Sequence, residues 1–176
     1  MQNNHRKVIL FIAALLCMSC SKDEIKTLVE YQGPLSEAEN IEIYQTDKDK
    51  VKLHMKSPLS YEFKNGDREF PKGIFIEIFN EFGRLESTLK ANEAYFFKEK
   101  NLWRSRGNVE VKNLEKNEQL NTEELFWKQP EKRIFTEKFV TIRQQGDIIY
   151  GEGLDAKEDL SEYTITKLSG DFEVDE

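Results

Sequence analysis

Residues that could do chemistry are few in this chain. Both cysteines, Cys17 and Cys20, fall near its start, and the 2 histidines are His5 and His54. Four-coordinate zinc needs several Cys or His ligands, and past the leader only His54 remains. A Ser-His-Asp triad would have to use the same residue. His54 alternates with Lys52 and Lys56 on a polar strand face, so it is assigned no chemistry. Carboxylates are plentiful, and glycoside hydrolysis needs only a pair of them. Glu123, Glu124, Asp155, Glu158 and Asp159 are the candidates, but with 33 Asp+Glu in the chain proximity carries no information. Solvated surface is the preferred reading. The run from Asp155 to Asp159 also lacks the roughly twelve-residue ligand spacing of a calcium loop. Arg104, Arg106 and Lys112 share a strand face and could meet a lipid phosphate, but a solvated strand exterior is the preferred reading. No catalytic residue, metal or cofactor is assigned.

The chemistry the two cysteines do suggest is attachment. His5, Arg6 and Lys7 precede an unbroken apolar run from Val8 to Leu16, too short for the about 20 residues of a membrane span. Leu16-Cys17-Met18-Ser19-Cys20 resembles a lipobox, with Ser19 in the small position and Cys17 where Leu is usual. Residues 1–19 are therefore expected to be a lipoprotein signal peptide, Cys20 the lipidated first residue, and 20–38 a tether. A plain cleaved signal or a short anchor is the alternative. Stable anchoring needs two or more acyl chains. Ser21-Lys22-Asp23-Glu24 also resembles the surface-export signal of some Bacteroidetes lipoproteins, against which stands a solvated tether. The 176 residues carry 26 Lys+Arg and a net charge of −7, and loss of Arg6 and Lys7 makes the rest more acidic. That is no nucleic-acid footprint, and it will not hold the body to anionic headgroups.

The elements that must position any site are strands. Val51, Leu53 and Met55 alternate with Lys52, His54 and Lys56. Ile74, Ile76 and Ile78 share a face, as do Trp103, Val109 and Val111. Leu125 and Trp127 follow, then Val140 and Ile142, then Ile148 and Tyr150. Turn signals at Asn65-Gly66, Glu81-Phe82-Gly83, Lys116-Asn117 and Gly146-Asp147 separate the runs, with Gly151 and Gly153 at a bend. Helical spacing is plausible only at Leu35–Asn40 and Asn92–Phe97. Strand-turn units repeating at this interval argue for an all-β sandwich, barrel or roll in one domain, 39–176. The 12 Phe, 6 Tyr and 2 Trp supply a core.

From Lys90 onward the motif order becomes specific. KANEAYFF leads into RGNVEV, then LNTEELFW, a charged turn, IFTEKFVTI, GEGLDAKEDLSEYTI and a terminal SGDFEV. This order resembles the LptC family among the OstA-like lipopolysaccharide transport proteins, clearly over about half the chain and more loosely back to Ile41. The resemblance implies an open antiparallel β-jellyroll folded like a taco, and a transport protein, not an enzyme. It implies a periplasmic place beside an inner-membrane ABC transporter, with lipopolysaccharide acyl chains received in an apolar groove and passed to an LptA-like jellyroll by strand pairing. Many family members use one transmembrane helix; this chain offers the lipobox-like end instead.

Under that resemblance the groove is expected from Val51, Leu53, Met55, Phe63, Ile74, Ile76, Ile78, Leu89, Trp103, Val109, Val111, Leu125, Trp127, Val140, Ile142, Ile148 and Tyr150, and a bulge between neighbours would invert any of these faces. The first strand, at Ile41 and Ile43, and the last, at Ile165, Phe172 and Val174, are the expected partner edges. Composition alone does not separate an open groove from a sealed core. Competing readings are a surface-exposed β-sandwich lipoprotein that binds glycan or protein, which exposed aromatics on a flat face would favour, and a carboxylate hydrolase, which needs two acids converging in a cleft.

Overall fold

The computed structural model describes residues 30–144 and 146–169. Signal, lipobox and tether up to residue 29, with Cys17 and Cys20, lie outside the described residues, as do Phe172 and Val174. Eleven strands form one sheet in which all the pairings are antiparallel. They are β1 (Ser36–Asp47), β2 (Lys50–Glu62), β3 (Arg68–Phe70), β4 (Ile74–Phe79), β5 (Leu85–Ala91), β6 (Glu93–Phe97), β7 (Leu102–Asn113), β8 (Glu118–Lys128), β9 (Arg133–Gln144), β10 (Asp147–Lys157) and β11 (Tyr163–Ser169). The chain is an all-β jellyroll, as the alternating runs of Ile, Val, Phe and Trp require.

Both stretches with helical spacing are extended. Leu35–Asn40 enters β1 and Asn92–Phe97 enters β6, where pairing with β2, β3 and β7 gives the backbone its hydrogen bonds. Tertiary pairing overrides a short local pattern. The Asn65-Gly66 turn differs in detail: of the two only Gly66 has positive φ, and it closes a longer loop through Phe63 N–H to Asp67 O at 2.9 Å. A two-residue hairpin does form at Lys48-Asp49, at φ 48° and 62°, as that tight turn requires.

A crease crosses the sheet. Its long strands break register or change hand along one line: Asn40 in β1 (φ 51°), Gly107-Asn108 in β7 (φ 71° and 47°) and Gly153 in β10 (φ 78°). β8 and β9 lose pairing between Thr122/Val140 and Phe126/Phe135. At the same line the Pro71–Gly73 turn separates β3 from β4, and Asn92 separates β5 from β6. The backbone groups freed there find other partners. Ser57 Oγ donates to Gly73 O at 2.7 Å, Asn92 N–H to Gly107 O at 3.0 Å, and Thr122 Oγ1 to Phe139 O at 2.8 Å.

Two leaves result. One carries β4 and β5 between β2 and β7; the other carries β3 and β6 between the same strands. Their inner faces meet in one core that includes Met55, Ile76, Leu120, Val140 and Ile142 from the first leaf and Phe70, Leu125, Trp127, Ile134 and Leu154 from the second. β1 pairs only with β2 and β11 only with β10 among the described residues, so each presents a free edge.

Candidate functional site

Inner-face residues build an apolar interior with a different character on each leaf. The β4–β5 leaf is aliphatic: Ile76, Leu89, Val109, Val111, Leu120, Val140 and Ile142 are all buried. The β3–β6 leaf carries an aromatic run in which Trp103 lies 5.6 Å from Phe70, 4.9 Å from Phe96 and 6.4 Å from Trp127, ring centre to ring centre.

Of the residues expected on the inner face, Met55, Ile74, Ile76, Leu89, Val109, Val111, Leu125, Trp127, Val140 and Ile142 are buried in the core, with Leu53, Ile78 and Trp103 packed against it. Val51 and Phe63 are half-buried at the two ends of β2. Ile148 and Tyr150 are placed differently: both project from the outer face, 47% and 39% exposed. The triplet Ile148-Ile149-Tyr150 is apolar at every position, so alternation cannot choose a face, and register decides. Ile149 stands opposite Ile142 and Gly151 opposite Val140, which turns Ile149 inward. Gly153 then takes the bulge and sends Leu154 and Ala156 inward. Gly151 has no room for a side chain, because a Cβ would lie 2.2 Å from Ile165 Cγ2 and 2.6 Å from Lys167 O.

Sequence reasoning missed Leu59, Phe70, Leu120, Ile134, Leu154 and Leu160, all buried. Leu120 and Leu125 are both inward although their spacing is odd, since β8 changes parity at the crease. Leu160 is a lone apolar residue in a polar turn, and that isolation was the available signal. His54 also has a role that its polar neighbours hid. It is 7% exposed; Nδ1 meets Glu77 Oε2 and Nε2 meets Glu42 Oε1, each at 2.7 Å. Tyr44 stacks on the ring at 4.1 Å. The group fastens edge strand β1 to β2 and β4 on the outer face, and its hydrogen bonds hold the Glu42 carboxyl below the usual range.

Of the acidic candidates, Glu124, Asp155, Glu158 and Asp159 are used in ion pairs and bonds, and Glu123 is exposed. Arg104 holds Glu124 at 2.6 Å, with Arg106 at 3.6 Å; Lys112 pairs with Glu110 at 2.7 Å; Arg133 pairs with Asp155 and lowers its pKa. Glu158 accepts the Trp127 indole N–H at 3.0 Å, and burial pushes its carboxyl up. Among the described residues no His, Cys, Asp and Glu cluster could hold a metal ion, and no helix is long and apolar enough to cross a membrane.

Opposite the crease the leaf tips face one another across a mouth. A cavity of about 720 Å³ reaches from Phe82, Glu86 and Glu115 on one tip to Trp127, Lys132 and Glu158 on the other, with Leu53 and Ile78 in its lining. A neighbour of about 440 Å³ shares Ile78, Glu86, Lys132 and Glu158 with it. Side-chain bonds bridge the mouth: Gln129 to Gln45 at 3.1 Å, Asn113 to Asp159 O at 2.8 Å, and Tyr163 to Gln144 at 3.1 Å. A further hollow of about 780 Å³ lies at the crease and includes Lys56, Lys72, Phe75 and Lys90, all exposed. The rim of the mouth is mostly charged and polar, with Leu53, Ile78, Phe79, Phe82 and Trp127 as its apolar part, and the apolar core between the leaves lies behind it. That core suits alkyl chains, each buried methylene contributing about 0.8 kcal/mol.

Residues 8–168 match the family model described as lipopolysaccharide-assembly, LptC-related. The chain belongs to the LptC-related family. As a member of it, the chain has a role in lipopolysaccharide transport and works at the cell envelope. Compared with curated proteins, this LptC-related chain has no match.

Proposed function

We propose that this LptC-related protein carries lipopolysaccharide by its acyl chains between the two leaves, as one station of a periplasmic bridge. The observation that carries the reading is the continuous apolar interior between the leaves, fully buried at Leu120, Val140 and Ile142, together with a mouth bridged by side chains alone. An inner-membrane ABC transporter delivers the lipid and an LptA-like jellyroll receives it. The free edges fit that order by strand addition: β1, at Ile41 and Ile43, toward the transporter, and the β11 end, at Ile165 and on to Phe172 and Val174, toward the next jellyroll. Ile41, Ile43 and Ile165 turn their side chains to the core, and the outer side of each of the two strands has no strand beside it among the described residues. The leader, residues 1–19, directs export, Cys20 carries the lipid anchor, and the tether expected over 20–38 runs up to the start of β1 at Ser36. The protein performs no catalysis in this reading.

A photoreactive amino acid at Trp127 or Ile142 tests it in cells. The expected result is an ATP-dependent adduct with lipopolysaccharide. Absence of any adduct in folded, abundant protein would reject it. One observation favours a second reading, a surface lipoprotein that binds glycan: Phe139 and Tyr150 stack at 6.3 Å on the outer face beside exposed Ile148. Loss of glycan binding on Phe139→Ala, with protease shaving of the protein from whole cells, would support that alternative.

A further inference from the structure

The turn between β10 and β11 crosses the mouth and puts an apolar side chain where polar residues surround it. Leu160 sits between Asp159 and Ser161, yet it is 1% exposed and belongs to the core. Its φ of 57° is left-handed, a conformation that leucine adopts only under constraint. Constraint comes from both leaves. On its own leaf, Glu158 N–H donates to Lys132 O at 2.9 Å and Leu160 N–H to Lys157 O at 3.0 Å. From the opposite tip, Asn113 Nδ2 donates to Asp159 O at 2.8 Å and Lys116 Nζ stands 3.6 Å from Asp159 Oδ2. The two mouth cavities flank this turn, sharing Ile78 and Glu158. The turn is also at the edge of the sheet, since β11 pairs only with β10 among the described residues, and Glu158 at its base is tied to Lys132 O and to the Trp127 indole.

We propose that the β10–β11 turn is a gate on the mouth, in which Leu160 occupies the place an acyl chain takes and the Asn113–Asp159 latch holds it shut. This rests on the reading of the chain as a lipopolysaccharide carrier. The incoming chain replaces one apolar group with another, so the core stays dry while the turn leaves. Departure relieves the left-handed backbone at Leu160 and breaks the two contacts to Asp159 and the Leu160 N–H bond to Lys157 O, while Glu158 stays bonded to Lys132 O as the pivot. The port is the Ile78–Trp127 side of the mouth, and its occupant is a single saturated or unsaturated alkyl chain.

Stopped-flow uptake of cis-parinaric acid, a fluorescent fatty acid, by the full chain tests the gate. Leu160→Gly removes the plug and tolerates the left-handed backbone; Asn113→Ala removes the latch; Leu168→Ala, at an exposed leucine, is the control, and thermal melts establish folding. Each of the first two is expected to raise the association rate about tenfold, and the control to leave it unchanged. Hydrogen exchange adds a sign: amides 158–162 should exchange faster when probe is bound, whereas an ordinary ligand would slow them. Unchanged rates with slower exchange in the turn would overturn the gate and leave the carrier reading standing. No probe uptake by any folded variant would overturn both.

Discussion

At the crease the chain itself crosses from one leaf to the other; at the mouth the leaves are joined by side-chain hydrogen bonds, an ion pair and packing. The crease spends special backbone, with positive φ at Asn40, Gly107, Asn108 and Gly153, and small hydroxyls such as Ser57 and Thr122 occupy the carbonyls that the ladder gives up. Among the described residues the mouth has three neutral hydrogen bonds, one ion pair and a buried leucine on a turn. A covalent hinge facing a weakly bonded opening is a clamp, and its two ends should respond differently to the same size of perturbation.

Four substitutions sharpen that difference. Ile142→Ala empties a fully buried site between the leaves and should cost about 2–5 kcal/mol of folding stability, read by urea unfolding. Next comes Gly151→Ala, whose Cβ would run into Ile165 and a Lys167 carbonyl; about 1–3 kcal/mol is expected, with β11 amides exchanging first. Asn113→Ala at the mouth should cost only about 1 kcal/mol, because opening that side breaks so little, and a loss as large as that of Ile142→Ala would erase the contrast. The smallest effect has the opposite sign. Burial raises the Glu158 pKa above the ordinary glutamate value of 4.5, so the folded state holds that proton longer than the unfolded chain. Stability from this group is complete below 4.5 and declines as pH rises through the folded pKa. Glu158→Gln should therefore raise the melting temperature at neutral pH and leave it unchanged in acid, measured by melts across pH.

The same contrast explains how much the sequence disclosed. Period-two runs away from the crease, such as Ile74–Ile78 and Val109–Val111, gave their strands and faces correctly, because each lies within one leaf and keeps its parity. Faces became illegible where a strand crosses the crease: Leu120 and Leu125 point the same way only because β8 slips between them, and Ile148 and Tyr150 point outward because β10 is read by its register with β9. The β3–β4 and β5–β6 breaks are likewise absent from any local pattern, since the helix-like spacing at Asn92–Phe97 conceals a strand. The mouth was least legible. Its bonds join residues far apart in sequence, Gln45 with Gln129 and Asn113 with Asp159, and nothing local marks such pairs. Leu160 was missed too, and its one local mark is composition, as the single apolar residue within Glu158–Glu162.

The central claim is that lipid binding parts the mouth while the crease stays fixed. Spin labels at Leu114 and Glu131, exposed on the two tips, and a second pair at Lys72 and Asn108, exposed along the crease, test it by pulsed distance measurement on the full chain. Adding lipopolysaccharide should lengthen the Leu114–Glu131 distance and leave the Lys72–Asn108 distance unchanged. Lipid bound with both distances unchanged, or with the crease pair moving instead, would contradict the account.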